Sequence, residues 1–550
     1  MNKMLKLRTA AVGFAVFLIP AFQNFHAAAQ TAPVVRPRAT PSPTATPIPV
    51  PTVTPAPVST PLPVQTVFDL TAKIRARLVR PEVRRGQIGI KIISLSSGKT
   101  VFEENAEKYF MPASNMKNFT VAAALEKLSP DFRYVTSVYA PAMPGPDGTV
   151  KGDVRIFGRG DVSISTAFYD GNYYKGIDDL ADKIMLAGVK RIEGDLIGDD
   201  SYFSGDALPG SWEWDDLQWY YGAEVSALPL NDNAVDLTVL PGPVGSGCNV
   251  KVLPFNLLMR VMNQCITGAA GTKRSLTIVK RINQNILDIS GSLPAGDPGF
   301  TGSVTFTRPA ELFVALLKER LTLKGVTVTG SVRALAARPA AEIPAQVELT
   351  KLESSPFSLI AAKTMKPSQN MYTETILRTL GEHLRTELSQ GAAVNGTAKP
   401  DPEDRTSTQL GIVAVSKFLT QIGVASDAVV QHDGSGLSRH NLVTPSAVVA
   451  VYNYMGKQSR YSQAWREALT IAGIDGTLKN RFSGTRATGN FRGKTGTIDQ
   501  VSALSGYLTT AAGEQLVVSI IVNGVPTGRD RTGLIDEIVV NLANFDGRID

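Results

Sequence analysis

Strand-like segments occur in pairs at both ends of the folded part of the chain. The segment IGIKIISLSSGKTVFEEN (88–105) contains an apolar strand, a Ser-Ser-Gly-Lys turn and a second strand. The segments VSALSGYLTT (501–510) and QLVVSIIVNG (515–524) form a second pair near the C-terminus. We therefore predict one sheet built from both ends of the chain, with a β-rich middle region inserted into the domain that contains this sheet.

The N-terminus has the pattern of a secretory signal peptide over residues 1–29. Three basic residues within the first eight positions precede an apolar run over residues 10–22, and the small residues of HAAAQ offer a cleavage site after Ala29. The apolar run is too short for an ordinary membrane-spanning helix, although an uncleaved anchor is the alternative. The pattern predicts an exported protein that works in the periplasm or another extracytoplasmic compartment.

Residues 30–66 are predicted to be a disordered linker rich in proline and threonine. Eleven of the 34 prolines lie between residues 31 and 65. Such a segment cannot pack a core and favours extended polyproline II conformation. We expect it to act as a tether, which leaves peripheral association with membrane or wall open.

The rest of the chain divides into three parts by pattern. Residues 67–137 hold the first strand pair and a helix, residues 138–335 hold short β-like runs with two helical patterns, and residues 336–550 hold several helices and the last strands. Cys248 and Cys265, the only cysteines, either pair in an oxidising compartment or remain as two buried thiols.

The charge and the metal-binding residue types exclude some classes of function. The formal net charge is +7, but the lysines and arginines are scattered, which argues against a nucleic acid partner. Two cysteines and four histidines are poor material for a structural zinc site. We predict no metal and no cofactor.

A serine and a lysine three residues apart provide the first candidate for chemistry. In PASNMKNFT (112–120), Ser114 and Lys117 would share one face of a helix, so that the lysine could accept the proton of the serine. The helix start would also favour the negative charge of a tetrahedral intermediate. Ser96 and Lys99 have the same spacing, but we interpret them as part of an ordinary surface turn.

Two further motifs follow Ser114 and Lys117 along the chain. PSQN supplies Ser368 and Asn370, and GKTGT supplies Lys494, Thr495 and Gly496. Ser-x-x-Lys, Ser-x-Asn and Lys-Thr-Gly together form the active-site set of penicillin-binding proteins and serine β-lactamases. Ser368 would relay a proton to the leaving group and Asn370 would hold the substrate amide. Lys494 and Thr495 would bind a substrate carboxylate, and Gly496 would let the substrate backbone approach.

The oxyanion of the tetrahedral intermediate needs hydrogen-bond donors beside the nucleophile. We predict that the backbone N–H groups of Ser114 and Thr497 supply them.

The chain resembles a narrower family in three longer segments. These are SWEWDDLQWYYGAEVSALPLNDN (211–233), DGSGLSRHNLVTP (433–445) and GIDGTLKNRF (473–482). They resemble the D-alanyl-D-alanine carboxypeptidase/endopeptidases, the class C low-molecular-mass penicillin-binding proteins of peptidase family S13. The likeness extends from about residue 68 to the end, and the 254 residues between Ser114 and Ser368 match the two extra domains of that family.

The resemblance implies an α/β fold (an α+β sandwich): a transpeptidase domain of the penicillin-binding and serine β-lactamase type with a large β-rich insertion. It implies a serine D,D-peptidase that removes terminal D-alanine from peptidoglycan stem peptides and cleaves cross-bridges, with β-lactam antibiotics as acylating inhibitors. It also implies that Asp216, Tyr221 and Arg439 bind the diaminopimelate side chain, an acid for the ammonium and an arginine for the carboxylate. Asp499 stands just past the third motif, where a relative carries glutamine.

Two rival functions are a β-lactamase and a non-catalytic wall-binding scaffold. A β-lactamase needs a base that hydrolyses the acyl-enzyme quickly, and Glu374, the nearest acid after the second motif, sits inside a helical pattern. The string QHDGSG places His432, Asp433 and Ser435 together, but we interpret it as a turn rather than a catalytic triad.

Overall fold

The computed structural model describes residues 65–255, 258–336, 345–395 and 405–549. The predicted signal peptide (1–29) and all but the last two residues of the predicted linker (30–66) lie outside the described residues. Within the described ranges, no helix is long and apolar enough to cross a bilayer.

The first part of the fold supplies the hairpin and the segment that carries Ser114. Thr66 caps the first helix, because its hydroxyl accepts a hydrogen bond from the backbone of Asp69 and the Asp69 carboxylate accepts one from the backbone of Thr66. In chain order the elements are α1 Val67–Leu78, β1 Gln87–Ser94, β2 Thr100–Glu104, a 3₁₀ helix Ala113–Met116 and α2 Lys117–Leu128.

The middle part is rich in short strands, as the sequence predicts. Its strands are β3 Val135–Ala140, β4 Thr149–Lys151, β5 Val154–Phe157, β6 Arg191–Glu193, β7 Leu196–Asp199, β8 Ala234–Leu240, β9 Asn249–Leu253, β10 Arg260–Gly268, β11 Thr277–Lys280, β12 Ile286–Pro294, β13 Phe300–Thr305, β14 Thr327–Val328, β15 Val332–Leu335 and β16 Val347–Glu353. Its helices are α3 Lys175–Leu186 and α4 Pro309–Leu323.

The last part returns to helices and then completes the first sheet. Its helices are α5 Phe357–Met365, α6 Asn370–Asn395, α7 Ser407–Gln421, α8 Pro445–Lys457, α9 Ser462–Ala468 and α10 Gly528–Ala543. Its strands are β17 Val429–Val430, β18 Leu442–Val443, β19 Thr470–Ile471, β20 Arg492–Ile498, β21 Val501–Thr509 and β22 Gln515–Asn523.

One six-stranded sheet joins the two ends of the chain, which confirms the prediction from the strand pairs. Its order is β19-β20-β21-β22-β1-β2, and β1 lies antiparallel to β22 from Gln87 opposite Asn523 to Ser94 opposite Leu516. Successive residues of β22 pack on opposite faces, Val518 and Ile520 in one core with α1 and α10, and Val517 and Ile521 in another with α2 and α8. Helices therefore cover both faces of the sheet.

The middle part has a core of its own. Its four sheets have the orders β15-β7-β5-β3-β16, β14-β6-β4, β13-β8-β9 and β10-β12-β11, and their buried residues form one cluster with α3 and α4. The largest of these sheets spans Val135 to Glu353, a little more than the predicted insertion. The boundaries at 138 and 335 stay a prediction. Cys248 and Cys265 form a disulfide that links positions 17 residues apart in this part.

Candidate active site

Ser114 lies in the 3₁₀ helix that leads directly into α2. The sequence predicts a regular helix from this point, and the tighter turn is the difference. Ala113 just before it has φ +46, a left-handed conformation that is costly for a residue with a side chain. Ser114 is half-buried and Lys117 is fully buried, so only the serine of the pair reaches the solvent side.

The Lys117 side chain has three hydrogen-bond partners. Its Nζ lies 2.9 Å from Ser114 Oγ, 2.6 Å from Asn370 Oδ1 and 2.8 Å from the backbone oxygen of Ser435. The amide and carbonyl oxygens only accept hydrogen bonds. A neutral amine therefore uses its two hydrogens on these oxygens, and its lone pair is left pointing at Ser114.

The surroundings of Lys117 also favour this neutral amine. Burial lowers the pKa of Lys117 to about 7, although the charges of Asp433 and Glu374 raise it. Burial and the positive charge of Lys117 together lower the pKa of Lys494. A large fraction of Lys117 is therefore unprotonated near pH 7 and able to accept a proton.

Ser368 and Asn370 sit where α5 ends and α6 begins, between helices as predicted. Ser368 has φ +68, and its Oγ accepts a hydrogen bond of 2.8 Å from Lys494 Nζ. Asn370 donates through Nδ2 to the backbone oxygen of Tyr221 at 2.9 Å while its Oδ1 accepts from Lys117. This amide therefore joins the nucleophile region to the segment that carries Tyr221.

The Lys-Thr-Gly motif lies within β20, and this part of the strand packs against the 3₁₀ helix. Asn115 Nδ2 donates to the backbone oxygen of Lys494 at 3.1 Å. A Cβ on Gly496 would lie 2.5 Å from the backbone oxygen of Pro112, so no other residue fits there without a shift. Gly496 thus allows the segment that carries Ser114 to approach the strand, in addition to the predicted approach of the substrate backbone.

Thr495 and Thr497 lie two residues apart on this strand, so their side chains project to the same face, but they differ in exposure. Thr495 is buried, and its Oγ1 donates 2.7 Å to Thr477 Oγ1. Thr497 is exposed near the end of the strand, opposite Ser502 of β21. The side chains of Ser114, Lys117, Ser368, Asn370 and Lys494 lie in one neighbourhood: Lys117 contacts Ser114 and Asn370, and Lys494 contacts Ser368 and lies within electrostatic reach of Lys117.

Comparison of the sequence with models of protein families identifies the family of this chain. The model of the D-Ala-D-Ala carboxypeptidase 3 (S13) family matches residues 70–545. The chain belongs to this family. Both the predicted family and the predicted enzyme class, a serine-type D-Ala-D-Ala carboxypeptidase, are confirmed.

Individual relatives agree with this assignment. A D-alanyl-D-alanine carboxypeptidase from an Actinomadura species is 34% identical over 490 residues, covering 87% of this chain and 85% of the relative. The carboxypeptidase DacB of Haemophilus influenzae is 26% identical over 472 residues, covering 84% and 89%. The crystal structure of penicillin binding protein 4 from Haemophilus influenzae has a TM-score of 0.70 at 23% identity, covering 86% of this chain and 100% of that one. The predicted fold class is confirmed.

Asp216 and Tyr221 of this S13 carboxypeptidase lie beside each other at the rim of the site. The two side chains share a hydrogen bond, and Arg439 is close enough to act on the charge of Asp216. Burial raises the pKa of Asp216 to about 6, helped by the charges of Asp215 and Glu213. These residues thus form an acidic recess next to Asn370.

Arg439 contacts Glu213, which the sequence does not single out, and the backbone of Asp499. Its Nε donates 3.0 Å to Glu213 Oε2 and its Nη1 donates 3.0 Å to the backbone oxygen of Asp499. The Glu213 carboxylate and the backbone oxygen of Asp499 therefore hold the arginine, and the contact with Asp499 does not involve its side chain. A backbone oxygen is present in every residue, so this contact cannot be predicted from the residue type at position 499.

The string around His432 forms a loop in this S13 carboxypeptidase, as predicted. The Asp433 carboxylate accepts hydrogen bonds from the backbone of Gly436 and Ser438, each at 2.7 Å, and from the indole of Trp212 at 2.9 Å. It therefore holds the loop together and ties it to residues of the middle part. Sequence reasoning missed this role, because it tested Asp433 only as a member of a triad.

Proposed function

We propose that Ser114 attacks the D-Ala-D-Ala end of peptidoglycan stem peptides and forms an acyl-enzyme. The observation that carries this proposal is the setting of Lys117, whose Nζ is 2.9 Å from Ser114 Oγ while two oxygens engage its other donors. That geometry supports a lysine acting as general base on the serine. The name of the S13 family gives the substrate class.

The first step of the proposed reaction forms a tetrahedral intermediate. Lys117 takes the proton of Ser114, and the serine oxygen bonds to the carbonyl carbon of the penultimate D-alanine. The carbonyl π electrons move to oxygen, and the backbone N–H groups of Ser114 and Thr497 stabilise the resulting charge. One such donor contributes about 3 kcal/mol to lowering the barrier.

The second step releases the terminal D-alanine, and water then completes the reaction. The oxyanion electrons re-form the carbonyl as the C–N bond breaks, which leaves the acyl-ester on Ser114, and the leaving nitrogen takes the proton that Lys117 removed, relayed through Ser368. Lys494 and Thr495 bind the carboxylate of the leaving D-alanine. Water then attacks the ester carbon and the bond to the Ser114 oxygen breaks. One proton of the water goes to Ser114 and the other to solvent, so that the shortened peptide leaves as a carboxylate.

The same site is proposed to act as a D,D-endopeptidase on cross-bridges. The recess of Asp216, Tyr221 and Arg439 suits a diaminopimelate side chain, which carries both an ammonium and a carboxylate. In a cross-bridge the leaving amine belongs to a second stem peptide rather than to free D-alanine. The bond broken and the acyl-enzyme formed are otherwise the same.

Incubation with defined muropeptides tests this function. The purified protein should release D-alanine from a monomeric pentapeptide and convert a cross-linked dimer into monomers, both read by mass spectrometry. Arg439→Gln should reduce the conversion of diaminopimelate-containing peptides more than that of peptides with lysine at this position, because lysine has the ammonium but lacks the carboxylate that the arginine would bind. A protein that leaves both substrates intact would contradict the proposal, and one that trims only the pentapeptide would remove the endopeptidase part.

β-Lactams are proposed to acylate Ser114 and to be released slowly. Penicillin binding protein 4 from Haemophilus influenzae has been crystallised with a bound β-lactam. In this chain Glu374 is buried, and its two carboxylate oxygens accept hydrogen bonds from the backbone of Gly434 and Ser435, so it is not placed to activate water. We expect one equivalent of labelled penicillin to bind and to stay bound, whereas steady nitrocefin turnover would favour the β-lactamase function.

Export through cleavage of residues 1–29 is proposed from the signal-peptide pattern. The secreted form should begin at Gln30, which N-terminal sequencing of protein from the extracytoplasmic fraction would show. A full-length N-terminus in the membrane fraction would instead indicate an uncleaved anchor.

A further inference from the structure

A buried carboxylate on α6 holds the loop that contacts Lys117. Glu374 is 1% exposed and lies one helical turn after Asn370. Its Oε2 accepts the backbone N–H of Gly434 at 3.0 Å and its Oε1 accepts that of Ser435 at 2.7 Å. Burying an acid this deeply lowers the stability of the folded state unless hydrogen bonds or opposite charges compensate for the lost hydration. The contact is therefore a built feature of the site.

The loop held by Glu374 supplies one of the two oxygens that orient Lys117. The backbone oxygen of Ser435 accepts from Lys117 Nζ at 2.8 Å, and the other oxygen is Oδ1 of Asn370 at 2.6 Å. One turn of α6 thus sets both acceptors, Asn370 directly and Ser435 through Glu374. If either acceptor moves, a hydrogen of the amine can turn towards Ser114 in place of the lone pair.

We infer that Glu374 is a positioning residue for the general base: it fixes the Ser435 carbonyl and so aims the Lys117 lone pair at Ser114. The inference rests on the proposed function of Ser114 and Lys117 and adds a residue outside the three motifs. Glu374 itself does not touch the substrate, because both of its oxygens are engaged by the loop.

Four charged groups surround this part of the site, and they determine the expected effect of pH. Lys494 and Asp433 act on Lys117 together with Glu374, and Arg378 lies within electrostatic reach of Glu374. Burial raises the pKa of Glu374 to about 7, and the charge of Asp433 adds to this, whereas the hydrogen bonds from Gly434 and Ser435 lower it.

Removal of the Glu374 charge has a defined direction of effect on Lys117. The carboxylate is one of the two charges that raise the pKa of this lysine. Without it, the pKa of Lys117 falls further below its ordinary value. The acid limb of the acylation rate against pH should then move to lower pH.

Two substitutions distinguish the effect of the Glu374 charge from the effect of its side-chain length. Glu374→Gln keeps the length but places an NH₂ group against one of the two loop N–H groups, so the loop has to shift. Glu374→Asp keeps the charge but shortens the side chain by one methylene. A displacement of about 1 Å in such a site costs about 100-fold in rate.

Glu382 is the matched control. It is a buried acid two turns further along the same helix, and it accepts hydrogen bonds from Ser407 Oγ at 2.5 Å and from Arg385. Glu382→Gln should lower the thermal midpoint without changing the acylation rate of the folded protein or its pH dependence.

The test measures the single-turnover acylation rate of the full chain by fluorescent penicillin between pH 5 and 9, beside thermal unfolding. We expect Glu374→Gln to lower the plateau rate about 100-fold and to move the acid limb to lower pH. Glu374→Asp should lower the plateau and leave the limb near its wild-type position. If Glu374→Gln does not fold, the plateau acylation rate of Glu374→Asp tests the positioning role instead.

The outcomes distinguish this inference from the proposed function. Wild-type protein that is not labelled at all would contradict the proposed function. A labelled wild type together with Glu374 variants that match it in plateau and limb, and differ only in thermal midpoint as Glu382→Gln does, would overturn the positioning role alone.

Discussion

Replacing Ser114 with alanine should abolish both D-alanine release and covalent labelling by penicillin. The methyl group cannot form an ester, and removal of a catalytic serine from a comparable constellation costs about 10⁴-fold or more in rate. The Ser114 side chain is half-buried and hydrogen-bonded only through Lys117 among its described contacts, so the variant should fold. Product release from the pentapeptide and gel fluorescence after labelling are the two measurements.

Ser96→Ala is the matched control for this variant. Ser96 also precedes a lysine by three residues, but it lies in the exposed turn between β1 and β2, where its hydroxyl donates to Glu514 Oε1 at 2.6 Å. This control should keep wild-type activity. Near wild-type activity in Ser114→Ala would refute the assigned nucleophile.

Replacing Lys117 with methionine should lower the acylation rate about 1000-fold or more, because methionine has no base for the serine proton. In the wild type the rate should rise tenfold per pH unit in acid and level off near pH 7, since burial lowers the pKa of Lys117 to about 7 and only the neutral amine accepts a proton. In the Lys117→Met variant the acylation rate should no longer rise with pH over this range. Stopped-flow acylation across the pH range measures both effects.

Lys99→Met provides the corresponding control, since Lys99 occupies the same spacing in the exposed turn. It should leave the rate and the pH profile unchanged. A wild-type rate that kept rising through pH 9 would show that the base has the ordinary pKa of a lysine and would contradict the neutral-amine account.

The overall architecture could be predicted because it depends on patterns of side chains. The apolar strands at the two chain ends pair in one sheet. The sequence pattern predicts a last helix from about Thr532 to Ala543, whereas α10 begins at Gly528. The four extra residues include the charged run Arg529–Arg531. These charges interrupt the apolar pattern from which the start of a helix is predicted. The N-cap hydroxyl of Thr527 stabilises this start by accepting from the backbone of Asp530.

The motif residues could be found in the sequence, but the groups that orient them could not. Lys117 is aimed by the carbonyl of Ser435, and a backbone carbonyl is the same in every residue. The role of Glu374 depends on a loop 60 residues further along the chain. The reason for Gly496 depends on the distance to Pro112, which only the packing of a strand against a turn defines.

The location of the penicillin adduct tests the central claim most directly. Trypsin cuts after Lys108 and Lys117 and releases peptide 109–117, YFMPASNMK, in which Ser114 is the only serine or threonine. After incubation with penicillin, the account predicts one adduct per molecule, and fragmentation should place it on Ser114. An adduct on the peptide that carries Ser368 or Ser435, or none on peptide 109–117, would contradict the account.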